Sequence, residues 1–150
     1  VDVASETEIK TSAHSVDLLA QIDEFPDQLE TFVGEKGKTL SGGQRQRTAI
    51  ARAILTQPKI LILDDAFASV DTHTEDTILQ RLAQVVSNST TIIISHRVST
   101  VKSADLIVIL EDGEIVERGT HLELLAQDSH YAKIHQRQLL VEEIETMETI

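Results

Sequence analysis

The spacing of apolar residues along the chain changes rhythm several times. Between Thr11 and Ile22 the apolar residues Val16, Leu18, Leu19 and Ile22 fall at helical spacing, which predicts a helix. Phe25-Pro26 ends it, because the residue before a proline disfavours the helical region. Thr31-Phe32-Val33 reads as a short extended run closed off by Gly34 and Gly37. Ser41-Gly42-Gly43 leads into a second helix to about Thr56, with Ala49, Ile50, Ala53 and Ile54 on its buried stripe. Pro58 separates it from Ile60-Leu61-Ile62-Leu63, a continuous apolar run expected of a strand buried on both faces. A helix from about Thr72 to Val86 follows, with Ile78, Leu79, Leu82 and Val85 apolar. Thr91 to Ile94 and Leu106 to Leu110 read as two further buried strands, the last folded back by Asp112-Gly113 onto Glu114 to Val116. From Thr120 the chain reads as helical, ending in an acidic segment, 141–150, expected to fray. Strands alternating with helices of this length imply a parallel sheet with right-handed crossovers.

Composition narrows the functions. At 150 residues the chain is long enough for one modest domain with a real core, and its apolar share of 41% is ordinary. Aromatics make up only 3%, so Ile, Leu, Val and Ala must build that core. The net charge of −12 argues against binding nucleic acid and against docking on an anionic membrane. With no cysteine, disulfides and thiolate metal sites are excluded. No apolar run reaches the length of a membrane span, Val1 opens no signal peptide, and a start without Met fits a chain cut from something longer.

The candidate chemistry clusters around three strand–loop–helix junctions. In Leu40-Ser41-Gly42-Gly43-Gln44-Arg45-Gln46-Arg47, two glycines ahead of a helix let backbone N–H groups approach a ligand. The helix N-terminus is partially positive and Ser41 adds a hydroxyl, so the site suits a phosphate. The other reading is a plain capped helix with Ser41 as its cap. Asp64-Asp65 follows the strand Ile60 to Leu63, where α/β folds bind ligands: Asp64 is placed to hold Mg²⁺ and Asp65 to face an attacking water. Alternatively the pair is two solvated acids opening a loop. Ser95-His96 follows the next strand and is expected at the same edge, although a lone histidine is more often structural.

Taken together and in order, these segments resemble the ATPase domain of ABC proteins. Leu40 to Gln44 is similar to the family's signature motif, Ile60 to Asp65 to its Walker B segment, Ala68-Ser69-Val70-Asp71 to its D-loop, and Ser95-His96-Arg97 to its switch histidine. The segment Asp112 to Leu125, with Phe25-Pro26 and Val33 to Gly37, is similar to exporter-type ATPase domains. The resemblance implies an α/β, P-loop NTPase-like partial domain: a mainly parallel sheet flanked by helices, with a helical signature subdomain at the N-terminus. It divides the chain into residues 1–56, the helical subdomain and signature helix, and 57–150, the C-terminal part of the ATPase core. It further implies that Ser41, Gly42, Gly43 and Gln44 contact the γ-phosphate of ATP held mainly by a second ABC ATPase domain. Asp64 would position Mg²⁺, His96 would contact the γ-phosphate and hold the attacking water, and Asp71 would lie across the dimer interface. The work is positioning and charge stabilisation, driving export through an attached transmembrane domain at the cytoplasmic face of the cell membrane.

Two departures qualify that picture. The family has Glu where this chain has Asp65, whose carboxylate is one methylene short. A misplacement of about 1 Å can cost about a hundredfold in rate. Asp here resembles the degenerate half of heterodimeric exporters, so the site containing Asp65 is expected to bind ATP and hydrolyse it slowly. The second departure is the absence of any Gly-x-x-x-x-Gly-Lys-Ser/Thr sequence, the nest and lysine that cradle phosphates. Residues 1–150 alone are therefore expected to show no ATPase activity and to expose an apolar sheet edge and face. Two other readings stand beside the transporter: a soluble ABC ATPase of DNA repair, chromosome organisation or translation, and a non-catalytic dimerisation module.

Overall fold

The computed structural model describes residues 4–34, 39–127 and 129–148. The expectation for Gly37, and part of the resemblance over Val33 to Gly37, falls outside them. The chain divides into two compact units, Val1–Ile94 and Ser95–Ile150.

The first unit begins with α1 (Glu6–Ser15), closed at its start by a capping box between Ser5 and Glu8. The single helix expected over Thr11 to Ile22 is in fact two. Asp17 takes a left-handed φ of 55°, its N–H donates to His14 O and that of Leu18 to Ala13 O. That is a Schellman closure with aspartate where glycine is usual. It turns Val16 and Leu18 into the core before α2 (Leu19–Asp23) resumes. A 3-10 turn at Gln28–Glu30 follows Pro26. Then come α3 (Gly42–Leu55), β1 (Ile60–Asp64), α4 (Thr72–Val85) and β2 (Thr90–Ile94).

β1 and β2 pair in parallel, Ile60 opposite Thr90 and Asp64 opposite Ile94, with α4 as the crossover. The core lies on one face of this pair. Leu61 and Leu63 pack there with Ile50 and Ile54 of α3, Ile78 and Leu82 of α4, and Val16 and Leu18. The expectation that β1 is buried on both faces fails for its other residues: Ile60 and Ile62 are 62% and 60% exposed. Side chains alternate along a strand, and among the described residues nothing covers that second face. Ala49, expected on the buried stripe of α3, is exposed, and Val86 rather than Val85 turns inward after α4.

The second unit holds α5 (Val98–Val101), β3 (Ile107–Glu111), β4 (Glu114–Gly119), α6 (His121–Leu125) and α7 (His130–Glu148). β3 does not join the parallel pair among the described residues; it pairs only with β4, antiparallel. Asp112 and Gly113 have φ of 50° and 84°, the turn with two positive φ values that matches strand twist, so the hairpin closes over two residues. Val98, Ile107, Leu124 and Tyr131 form the core of this unit.

Candidate functional site

The start of α3 is a complete capping box. Ser41 Oγ accepts from the N–H of Gln44 (3.1 Å), and Gln44 Oε1 accepts from the N–H of Ser41 (2.8 Å). The capped-helix geometry is therefore present, and it leaves room for more. The hydroxyl hydrogen of Ser41 remains a donor, and the amides of Gly42 and Gly43 belong to the first turn, which has no intrahelical acceptor. The other amide group of Gln44 donates to Gln21 Oε1 (3.2 Å), so this side chain is turned along the helix entry.

Ala68 to Asp71 lies against that turn. A Cβ on Gly43 would sit 2.9 Å from the carbonyl oxygen of Ser69, and one on Gly42 would sit 3.4 Å from its side chain. Gln46 Oε1 accepts from Ser69 N–H at 2.8 Å, fixing the approach. Only glycine fits at 43, because the neighbour is backbone and cannot rotate away. Two residues on, Asp71 caps α4 by accepting from Thr74 N–H at 2.9 Å. That backbone donor holds the Asp71 carboxyl below the usual carboxylate range. The structure thus brings the expected residues Ser41, Gly42, Gly43 and Gln44 together with the loop that leads to Asp71.

Asp64 is the last residue of β1 and is exposed. Asp65 follows in the left-handed region at φ 48°, its N–H donating to Ile94 O at 2.9 Å, which fastens it beside the end of β2. Both acids thus stand at the C-terminal edge of the parallel pair, the position α/β folds use for ligands. Among the described residues no three His, Cys, Asp or Glu side chains form a metal cage. A lone exposed carboxylate fits Mg²⁺, which keeps waters and takes one or two carboxylates beside a substrate's phosphates. His96 belongs to the second unit, between Ser95 and α5. The hydroxyl of Ser95 accepts from the N–H of Arg97 at 3.0 Å and donates to Thr100 Oγ1 at 3.1 Å.

Behind the start of α3 lies a polar network with little signature in the sequence. Arg47, 7% exposed, donates to Asp17 O (2.6 Å) and to Gln21 Oε1 (2.9 Å). Asp17 Oδ1 in turn accepts from Arg81 of α4 at 3.0 Å. The left-handed aspartate therefore ties α1 to both α3 and α4. Its signal is spatial: nothing in the spacing links positions 17, 21, 47 and 81.

These features match the pattern of an ABC-type ATPase domain, and the comparisons with known proteins point the same way. The ABC transporter family model matches residues 3–68. The chain is 49% identical over 134 residues to an ATP-dependent lipid A-core flippase of Nitrosococcus oceani, covering 89% of this chain and 22% of that protein. It is 48% identical over 132 residues to the flippase of the same description from Pseudomonas aeruginosa, covering 88% and 22%. A solved bacterial Atm1-family ABC exporter with ATP bound superposes with a TM-score of 0.87 at 42% identity, covering 93% of this chain and 24% of that one. The chain is thus similar to part of these exporters and has their P-loop NTPase fold. It spans less than a quarter of the length of these relatives.

Proposed function

We propose that this chain takes part in ATP binding and hydrolysis that drives export of a substrate across a membrane, as part of an ABC transporter. The observation that carries the proposal is the close approach of Gly43 to Ser69, which presents the capped N-terminus of α3 beside the loop leading to Asp71. A helix N-terminus so built is a phosphate site, and the solved exporter of the same fold has ATP bound. Ser41, Gly42, Gly43 and Gln44 face the γ-phosphate of ATP held mainly by a second ABC ATPase domain, a different chain. Asp71 lies at the interface between the two domains. Asp64 takes part in holding Mg²⁺, which when bound neutralises charge on the phosphates. Asp65 and His96 serve this chain's own ATP, Asp65 facing the attacking water and His96 orienting it. The partners are that second domain and a transmembrane domain, with the chain at the cytoplasmic face; none of the described helices is long and apolar enough to cross a membrane itself.

Gly42→Asp in the assembled transporter separates this function from folding. An acid in the first turn favours the helix by about 0.3–1 kcal/mol, and the Cβ has room at 3.4 Å. Its carboxylate would repel an incoming phosphate, so ATP turnover should fall about a hundredfold while the melting temperature holds or rises. Turnover unchanged in a folded variant would sink the proposal.

A further inference from the structure

His96 sits on a short connection whose shape is set from the far end of the second unit. Gln138 of α7 uses both groups of its side-chain amide on this stretch. Its Oε1 accepts from the N–H of Val98 at 2.8 Å, and its Nε2 donates to the carbonyl of His96 at 2.7 Å. One side chain thereby spans two backbone groups of residues i and i+2, as a neighbouring strand would. Both bonds are at the short end of the normal range.

The helix that carries Gln138 is anchored on the same face. Tyr131, seven residues earlier and two turns away, is 1% exposed and its hydroxyl lies 2.7 Å from His121 Nδ1. Ile134 packs against the core of Val98, Ile107 and Leu124. His135 meets the edge of the His121 ring with centroids 5.4 Å apart. The start of the helix is held by Glu117, which accepts from the N–H groups of His130 (2.6 Å) and Tyr131 (3.0 Å). A rigid element thus delivers the Gln138 amide to the loop.

We propose that Gln138 is a positioning residue for His96, so that α7 sets the conformation of the loop presenting the histidine to the γ-phosphate. This rests on the role given to His96 above. Gln138→Met keeps the size of the side chain and removes both bonds; Gln138→Glu keeps the oxygen that accepts from Val98 and turns a second oxygen on the His96 carbonyl.

Two measurements test it. In the 150-residue chain, amide exchange at Val98 should rise about tenfold or more in Gln138→Met, with β3 and β4 unchanged, and stay near wild type in Gln138→Glu. In the assembled transporter with the partner's site disabled, both variants should lower kcat about fivefold or more with KM for ATP within about twofold. Placed on His96→Ala, Gln138→Met should cost nothing further. Unmoved Val98 exchange, unchanged kcat, or an equal loss on the His96→Ala background would each overturn the inference. If His96→Ala itself turned over ATP normally, the proposed role of His96 would fail instead, and Val98 exchange would still decide whether the clamp exists.

Discussion

Gly42 and Gly43 are neighbours of one residue type with different reasons to be glycine. A methyl at 43 would meet a backbone oxygen at 2.9 Å, below any ordinary contact, so α3 or the 68–71 loop must move. A methyl at 42 would meet the Ser69 side chain at an ordinary 3.4 Å and gain the better helix propensity of alanine. Gly43→Ala should therefore destabilise the fold by about 1–3 kcal/mol, and Gly42→Ala should be neutral or stabilising, both read by urea denaturation. Equal effects would mean that the approach of Ser69 is not tight. Asp65 poses a different contest. Its left-handed backbone suits aspartate better than glutamate, while its short side chain holds the carboxylate back. Strain of about 1 kcal/mol lowers stability, but reach acts on the reaction barrier. Asp65→Glu should thus raise single-turnover hydrolysis about tenfold or more when the partner's site is disabled, at a cost of a few degrees in melting temperature. An unchanged rate would remove the argument that Asp65 makes this site slow.

At the scale of elements, what was legible in the sequence was what local chemistry decides. Ser41 with Gln44 three residues on announces the start of α3, and Asp112-Gly113 announces the hairpin; both are where the residues put them. The break at Asp17 was not legible, because aspartate rarely closes a helix in the left-handed form and does so here with Arg47 and Arg81 around it. The separate pairing of β3 was hidden as well, since an apolar run does not say which edge it will use. Glu117 is another long-range device. Burial pushes its carboxyl up, but the N–H groups of Tyr131 and His130 and the Ser129 hydroxyl outweigh that and hold it below the usual range. A carboxyl depressed in the folded state adds stability above its unfolded value, about 4.3, and loses it as pH falls through the folded value. The α7 start should accordingly loosen in acid, seen as faster amide exchange at His130 and Tyr131. Glu117→Gln should remove that acid step and cost about 1.5–3 kcal/mol at neutral pH. An unaltered acid profile in the variant would assign the step to another group.

At the scale of the whole molecule, the uncovered face of the parallel pair decides how the chain behaves alone. Ile60, Ile62, Ile92 and Ile94 stand on one side of β1 and β2, each about half exposed or more. Asp64 ends the same row. Finishing the burial of four such side chains on each of two copies is worth about 1 kcal/mol apiece, or about 8 kcal/mol in all. Association costs at least about 4 kcal/mol in lost translational and rotational freedom, so the patch cannot by itself hold a tight dimer. It can support weak pairing, with Kd of about 1 mM or weaker, helped by the open strand edges. The 150-residue chain should then sediment as a monomer at low micromolar concentration and self-associate increasingly as it is concentrated. The double variant Ile62→Thr, Ile92→Thr keeps β-branched residues at two directly paired positions while removing apolar surface. It should abolish the concentration dependence without lowering the melting temperature, since neither side chain belongs to the core of Leu61 and Leu63. A micromolar dimer that survives the double variant would place the association elsewhere on the surface. A loss of folding in that variant would mean that the exposed face is covered in the folded chain.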